Sequence, residues 1–258
     1  MLVTKDIICK AGKKHLLDSV SVSFDPGKLH LIIGPNGAGK STLIKALSGQ
    51  VKPASGSVMY GDRNAGEIEV TQAARMRAVL SQFIELAFPL TVAEVVMMGR
   101  YPHFSGIPEK KDVAACDEAM HFFEIAEMAG RDYQTLSGGE KQRVNFARVM
   151  AQIWYPDPSH ARYLLLDEPL TFLDVHYQFT FMHQLQRLCR QTDLTIVGVV
   201  HDLNLAAKFA DHLVLLHAGK VLADGNRDTV LTKEHIRTAY HLEPVIHRQD
   251  NSMYLFFE

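Results

Sequence analysis

Hydrophobic and polar positions follow two different rhythms along the chain. The opening segments "LVTKDIIC" and "SVSVSF" show the alternation expected of half-buried strands, and "LHLIIG" is an unbroken apolar run leading into a glycine-rich loop. After that loop, "STLIKALSG" sets Leu43, Ile44 and Leu47 on one helical face and stops at Gly49. From about Ala74 to Ala151 helical patterns dominate in "TVAEVVMMGR", "KKDVAACDEAMHFFEIAEMAG" and "GGEKQRVNFARVMAQI", with loops at residues 101–108 and 131–136. The run "YLLLDE" then reads as a strand buried on both faces. A helix over residues 175–191 leads into "LTIVGVV", and a helix over residues 204–210 leads into "HLVLLH". After Lys233 the pattern gives a short helix and two strands, "PVIHR" and "MYLFF", as a hairpin around "QDNS". The fold class is α/β, with strands alternating with helices around a mostly parallel sheet and a helical subdomain inserted in it.

Composition narrows the classes without changing that picture. The chain of 258 residues is 47% hydrophobic and 22% charged, enough apolar material for one large core and too much for a disordered chain. A formal net charge of -2 gives no general electrostatic reason to bind nucleic acid, and no nucleic-acid partner is expected. Cys9, Cys116 and Cys189 lie far apart without metal-ligand spacing, as reduced core thiols do. The opening "MLVTKDIICKAGKKH" lacks the apolar stretch of a signal peptide, and no run approaches the ~18 apolar residues of a membrane span. The chain is expected to be soluble by itself.

Candidate chemistry begins with "GPNGAGKST", which fits the G-x-x-x-x-G-K-[ST] pattern at every fixed position and stands between strand and helix. Gly34, Pro35, Asn36, Gly37, Ala38 and Gly39 form the loop, whose backbone amides suit a β-phosphate. Lys40 is placed to neutralise β and γ oxygens, and Ser41, followed by Thr42, offers a hydroxyl to Mg²⁺. A strand also has to deliver a carboxylate to the metal, and "YLLLDEP" supplies Asp167 at its carboxyl end. Glu168 follows on the opposite side, where it can serve as general base or orient water. A second anion site is signalled by "LSGGEKQR", whose Ser137, Gly138 and Gly139 stand at the start of a helix.

Taken in order, "GPNGAGKST", "LSQ", "LSGGEKQR", "LLLDEP", "TFLD" and "VVHDLNLA" resemble the ATP-binding-cassette ATPases over nearly the whole chain. The resemblance implies a P-loop NTPase core with an antiparallel N-terminal β subdomain. Residues 1–85 and 152–258 then form the catalytic core and residues 86–151 the helical subdomain of a single nucleotide-binding domain. ATP and Mg²⁺ are the implied ligands. By the same resemblance Gln82 senses Mg²⁺ and water, His201 contacts the γ-phosphate, and Asp174 lines a dimer seam. Two copies pack head to tail, so that Ser137, Gly138 and Gly139 of one cover the γ-phosphate held by the other. The sequence departs from the family where an aromatic residue usually stacks on adenine. "KAGKKH" offers none, leaving Lys10, Ala11 or His15 as candidates for the base and its selectivity open.

Two kinds of machine use such cassettes: membrane transporters, and soluble ATPases acting on nucleic acid or protein complexes. One P-loop and a compact helical insert favour the ATPase of a transporter whose permease is a separate polytopic protein, expected in two copies. Such a subunit sits peripherally on the cytoplasmic face of a bacterial inner membrane, with a periplasmic substrate-binding protein as indirect partner. "FPLTVAEVVMMGRYPH" is similar to the segment that lines the permease groove in importers of iron-siderophores, cobalamin and haem. Arg100, Tyr101, Pro102 and His103 are its candidate contact residues, while Val92, Val95, Val96 and Met97 fit a buried helix face. The longer link "WYPDPSHAR" and "DVHYQ" after Asp174 are similar to haem-importer ATPases and favour haem, with siderophore or cobalamin import as the alternative. The thirteen histidines are not read as haem ligands, because transported haem has no reason to traverse the motor.

Overall fold

A computed structural model describes residues 1–80, 88–250 and 252–257. Its centre is a six-stranded sheet in the order β10-β9-β3-β8-β7-β6, formed by β3 (Leu29–Ile33), β6 (Arg77–Leu80), β7 (Tyr163–Leu166), β8 (Thr195–Val199), β9 (His212–His217) and β10 (Lys220–Gly225). All neighbours are parallel except β10, which pairs antiparallel with β9. A second, four-stranded sheet in the order β2-β1-β4-β5 contains β1 (Leu2–Ala11), β2 (Lys14–Phe24), β4 (Ser55–Tyr60) and β5 (Arg63–Asn64), and is antiparallel throughout. The tail hairpin pairs β11 (Pro244–Gln249) with β12 (Ser252–Phe257).

Alternation within the central strands divides the apolar residues between two cores. Leu29, Leu31, Ile33, Leu164, Leu166, Ile196, Leu213 and Leu215 face one side, while Ile32, Leu165, Val197, Val199, Val214 and Leu216 face the other. The second face packs against the antiparallel sheet and α1 (Lys40–Leu47), with α2 (Val70–Met76) at its margin. The first is covered by α6 (Val175–Gln191) and α7 (Leu203–Phe209). It continues without a break into α3 (Val92–Met97), α4 (Lys110–Phe122) and α5 (Gly138–Gln152). The short α8 (Arg227–Val230) and α9 (Lys233–Tyr240) precede the hairpin. Cys9, Cys116 and Cys189 are buried free thiols, as expected.

The elements differ from the sequence reading in several places. Arg77–Leu80 is a strand inside a stretch read as helical, because its four residues ladder in parallel with β7. The helix expected to run on through "FFEIAEMAG" ends at Phe122, and the chain turns at Glu124, which has φ 57. Residues 98–103 form a 3₁₀ turn where a loop was expected from residue 101 onward. No helix among the described residues is long and apolar enough to cross a membrane.

Candidate functional site

Parallel pairing brings the chemistry together. β3, β7 and β8 lie side by side and point the same way, so their carboxyl ends open onto one edge of the sheet. Gly34 follows β3, Asp167 and Glu168 follow β7, and His201 follows β8. Residues more than 120 positions apart in sequence thereby become neighbours: Ser41 Oγ donates to Asp167 Oδ1 at 3.0 Å over a separation of 126. His201 Nε2 lies 2.8 Å from Glu168 Oε1. Gln82, expected at the same edge after β6, lies outside the described residues.

The loop itself is shaped by close backbone approaches. Gly34 has φ 147, and a Cβ there would fall 2.3 Å from the Leu216 carbonyl oxygen; Gly39 has φ 104, and a Cβ there would fall 2.6 Å from that of Leu16. Only glycine fits either position, and the second contact seats the hairpin between β1 and β2 beside the loop. That hairpin carries Lys10, Ala11 and His15, all solvent-exposed. From the other side the loop residues Pro35, Asn36, Gly37 and Ala38 share a cavity of about 340 Å³ with His217, Ala218, Tyr240 and His241. Tyr240 was not foreseen. Its position reflects the packing of α9 against a loop two hundred residues earlier, for which the sequence carries no local signal.

Charges at this edge are unevenly solvated. The Lys40 ammonium donates to the carbonyl oxygens of Gly34 at 2.8 Å and Pro35 at 3.0 Å. Burial pulls its pKa below the usual lysine range, while the carboxylates of Glu168 and Asp167 pull the other way. Burial pushes Asp167 above the usual carboxylate range against the Ser41 hydrogen bond, and the Glu168 charge adds to the rise. A half-buried carboxylate bonded to a serine hydroxyl offers two hard oxygen donors, the set a Mg²⁺ ion takes when phosphates and waters complete its shell. Glu168 sits in the left-handed region, with φ 53.

The segment "LSGGEKQR", the signature of the resemblance, lies elsewhere. Ser137 caps α5: its Oγ accepts from the Glu140 amide at 3.3 Å, and the Glu140 carboxylate accepts the Ser137 amide at 2.8 Å. Those bonds hold the Glu140 carboxyl below its usual range. A Cβ built on Gly138 or Gly139 would meet Phe172, at 3.8 Å in each case, in the loop between β7 and α6. The same loop ends at Asp174, which caps α6 by accepting the Tyr177 amide at 2.9 Å. None of Ser137, Gly138 and Gly139 lines the cavity over the chain's own P-loop.

The segment expected to meet a permease divides. Thr91 and Glu94 form the capping box of α3, and Val92, Val95 and Val96 are buried as expected, whereas Met97 is only partly buried against the same core. Tyr101 is 60% exposed and stands edge-on to Phe104. Arg100 corrects the expectation of a contact residue. It is 3% exposed, pairs with Asp112 at 2.9 Å and donates to the Ala151 carbonyl oxygen at 2.7 Å. His103 is half-buried against the Gln152 carbonyl oxygen at 2.7 Å. A charge in sequence does not reveal a buried partner twelve residues away.

Comparison with known proteins agrees with this geometry. The Hemin import ATP-binding protein HmuV of Gloeobacter violaceus is 44% identical over 248 residues, spanning 96% of this chain and 90% of that protein. The protein of the same name in Escherichia coli O157:H7 is 39% identical over 240 residues, spanning 93% of this chain and 92% of its own length. A chain from an ABC transporter solved in an inward-facing conformation superposes with TM-score 0.82 at 23% identity, covering 100% of this chain and 96% of that one, a likeness of fold. A glycine loop, a strand-end carboxylate pair and a capped signature helix on this α/β framework, together with a match to the ABC transporter family model over residues 17–171, establish that the chain belongs to the ABC transporter family.

Proposed function

We propose that this chain is the ATP-hydrolysing subunit of a haem importer, acting as a homodimer on a separate membrane permease at the cytoplasmic face of a bacterial inner membrane. The observation that carries the nucleotide chemistry is the meeting of Ser41 with Asp167 and of His201 with Glu168 at one sheet edge. Haem as cargo rests on likeness to the two hemin import proteins over more than nine-tenths of this chain.

In this reading the amides of Gly34, Pro35, Asn36, Gly37, Ala38 and Gly39 cradle the β-phosphate, with Thr42 at the start of α1 completing the loop. Lys40 turns from the Gly34 and Pro35 carbonyls toward the β and γ oxygens. Ser41 and Asp167 are the chain's ligands to Mg²⁺, joined by Gln82. Bound there, the ion neutralises charge on the phosphate oxygens. Glu168 accepts a hydrogen bond from the attacking water and orients its lone pair toward the γ-phosphorus. As the new P–O bond forms, the bond to the bridging oxygen breaks and the water's proton passes to the carboxylate or to phosphate. His201 contacts the γ-phosphate and holds Glu168 in place. Ser137, Gly138 and Gly139 close over the nucleotide of the partner copy, with Asp174 at the seam. This fits their absence from the lining of their own P-loop cavity. ATP then contributes contacts to both copies, and hydrolysis removes them. The helical segment around Tyr101 is assigned to the permease contact.

The test is reconstitution of this chain with its permease in vesicles. ATP-dependent uptake of haem, absent with Glu168→Gln, is the expected result. Uptake of a ferric siderophore or cobalamin in place of haem would overturn the cargo, and ATP turnover that no permease alters would overturn the transport role.

A further inference from the structure

The C-terminal hairpin is tied to α7, the helix that follows His201, by the side-chain amide of Asn204. Asn204 Nδ2 donates to the Leu255 carbonyl oxygen at 3.1 Å, and the Leu255 amide donates back to Asn204 Oδ1 at 2.8 Å. One side chain thus satisfies both backbone groups of one residue on β12, the exchange a neighbouring strand would make. Apolar packing accompanies it: Met253 and Leu255 on the inner face of the hairpin are buried, as are Leu203 and Leu205 on α7.

Asn204 belongs to the first turn of α7, whose cap, Asp202, is the residue after His201. The Asp202 carboxylate accepts the Asn204 amide at 2.7 Å and the Leu205 amide at 3.0 Å. The backbone amide of Asn204 is therefore fastened to the cap and its side chain to the hairpin, so the start of the helix is fixed from two directions. This helix has seven residues, too few for a helix to hold its own shape in water. His201, immediately before the cap, meets Glu168 at 2.8 Å.

We infer that Asn204 is a positioning residue for ATP hydrolysis: by tying the start of α7 to the C-terminal hairpin it holds His201 where it meets Glu168 and the γ-phosphate. The inference rests on the reading of His201 and Glu168 given above. Asn204 itself touches neither Glu168 nor the P-loop; it acts through the backbone of α7. Misplacing a catalytic group by about 1 Å costs on the order of a hundredfold in rate, so partial loosening of this tie is expected to cost about tenfold.

The experiment uses this chain assembled with its permease in vesicles and compares Asn204→Ala, Asn204→Asp and His201→Ala with the parent. Asn204→Ala removes both bonds. It is expected to lower kcat about tenfold while leaving the KM for ATP within about twofold. Asn204→Asp retains the acceptor for the Leu255 amide and loses the donor, so its kcat is expected to fall between the two. Melting temperatures are recorded alongside, and rates are taken well below every melting point. Unchanged kcat in Asn204→Ala, or a loss that disappears on cooling away from the melting point, overturns the inference. Should Asn204→Ala fail to fold, Asn204→Asp decides in the same way. His201→Ala separates the two levels. If it abolishes turnover while the Asn204 variants are unaffected, only the positioning role fails. If His201→Ala turns over like the parent, the reading of His201 fails and the positioning role with it.

Discussion

Replacing Arg100 tests whether the segment at residues 98–103 is a contact surface or a structural joint. The guanidinium and the Asp112 carboxylate are 2.9 Å apart, with side-chain exposures of 4% and 5%. Arg100 also donates to the Ala151 carbonyl oxygen at 2.7 Å, and Asp112 accepts the Glu109 amide at 3.0 Å at the start of α4. The pair therefore ties the 3₁₀ turn after α3 to α4 and to the end of α5. Arg100→Ala leaves a buried carboxylate without its cation, a change that costs about 3–5 kcal/mol. For a chain of this size each kcal/mol lowers the melting temperature by about 2–4 °C, so a fall of roughly 6–20 °C is expected. Arg100→Glu sets two buried carboxylates against each other and should do worse. Thermal and urea unfolding of the isolated subunit measures the effect, and ATP binding in the cold shows whether the remaining folded protein keeps its site. Replacing both partners, Arg100→Met with Asp112→Leu, removes the desolvated charges together and should recover most of the stability. A melting temperature for Arg100→Ala within 2 °C of the parent, combined with lost transport, would refute this reasoning and return Arg100 to the contact surface.

Other consequences are more local. His30 is fully buried, and burial lowers its pKa to about 4, so the unfolded chain takes up a proton near pH 6.5 that the folded chain refuses until about 4. Stability is then complete above that window and falls by about 1.4 kcal/mol per pH unit within it, and His30→Gln should flatten this acid limb in urea unfolding between pH 7 and 4.5. Asp167 is raised by burial, so its charge opposes folding as pH rises through its folded value. Asp167→Asn should therefore raise the melting temperature of the nucleotide-free chain at pH 7 while weakening Mg²⁺-dependent ATP binding, as nucleotide titrations with and without the ion would read. Glu168→Gln is expected to lose turnover by at least a hundredfold and keep ATP binding, giving an ATP-stabilised dimer on size exclusion; a near-parental rate would contradict the water-orienting role. Ser137→Arg and Lys40→Ala subunits, each inactive alone, should regain one ATP-occluding site when mixed on a permease, whereas a signature serving its own chain would give none.

What could be read from sequence depended on how local the constraint was. The P-loop demands glycine at defined backbone positions, and the Leu216 and Leu16 carbonyls show why Gly34 and Gly39 admit nothing larger. Buried strands such as Tyr163–Leu166 and His212–His217 appeared as apolar runs because both faces are covered. By contrast, "SGSVMY" buries only Val58 and Tyr60 and passes unnoticed as β4, and Arg77–Leu80 is recognisable only through its partner strand. The meeting of His201 with Glu168 is likewise invisible along the chain, since each merely ends a strand until parallel pairing sets those ends together. Arg100 misled for the converse reason: burial with Asp112 is a property of packing between α4 and α5, which no spacing encodes.

The loop between β7 and α6 shows how the fold sustains a conformation the chain resists. Glu168 and Phe172 both have positive φ, at 53 and 68, and each such residue costs roughly 1–2 kcal/mol relative to ordinary backbone. Between them the Thr171 hydroxyl donates to the Glu168 carbonyl oxygen at 3.1 Å. Two glutamines hold the rest. Gln142 on α5 donates to the Pro169 carbonyl oxygen at 2.8 Å, and Gln178 on α6 donates to that of Leu173 at 3.0 Å. With β7 wholly buried before the loop and Asp174 capping α6 after it, neither end can move to relieve the strain. The Gln142 bond has a further mechanical effect, because Gln142 lies in the second turn of the helix that begins beside Ser137. Displacing that helix relative to β7 requires breaking a buried bond worth about 1 kcal/mol or carrying the Glu168 loop along. The signature of one chain and the carboxylate at its own sheet edge are therefore fastened to each other, although they serve different nucleotides in the proposed dimer.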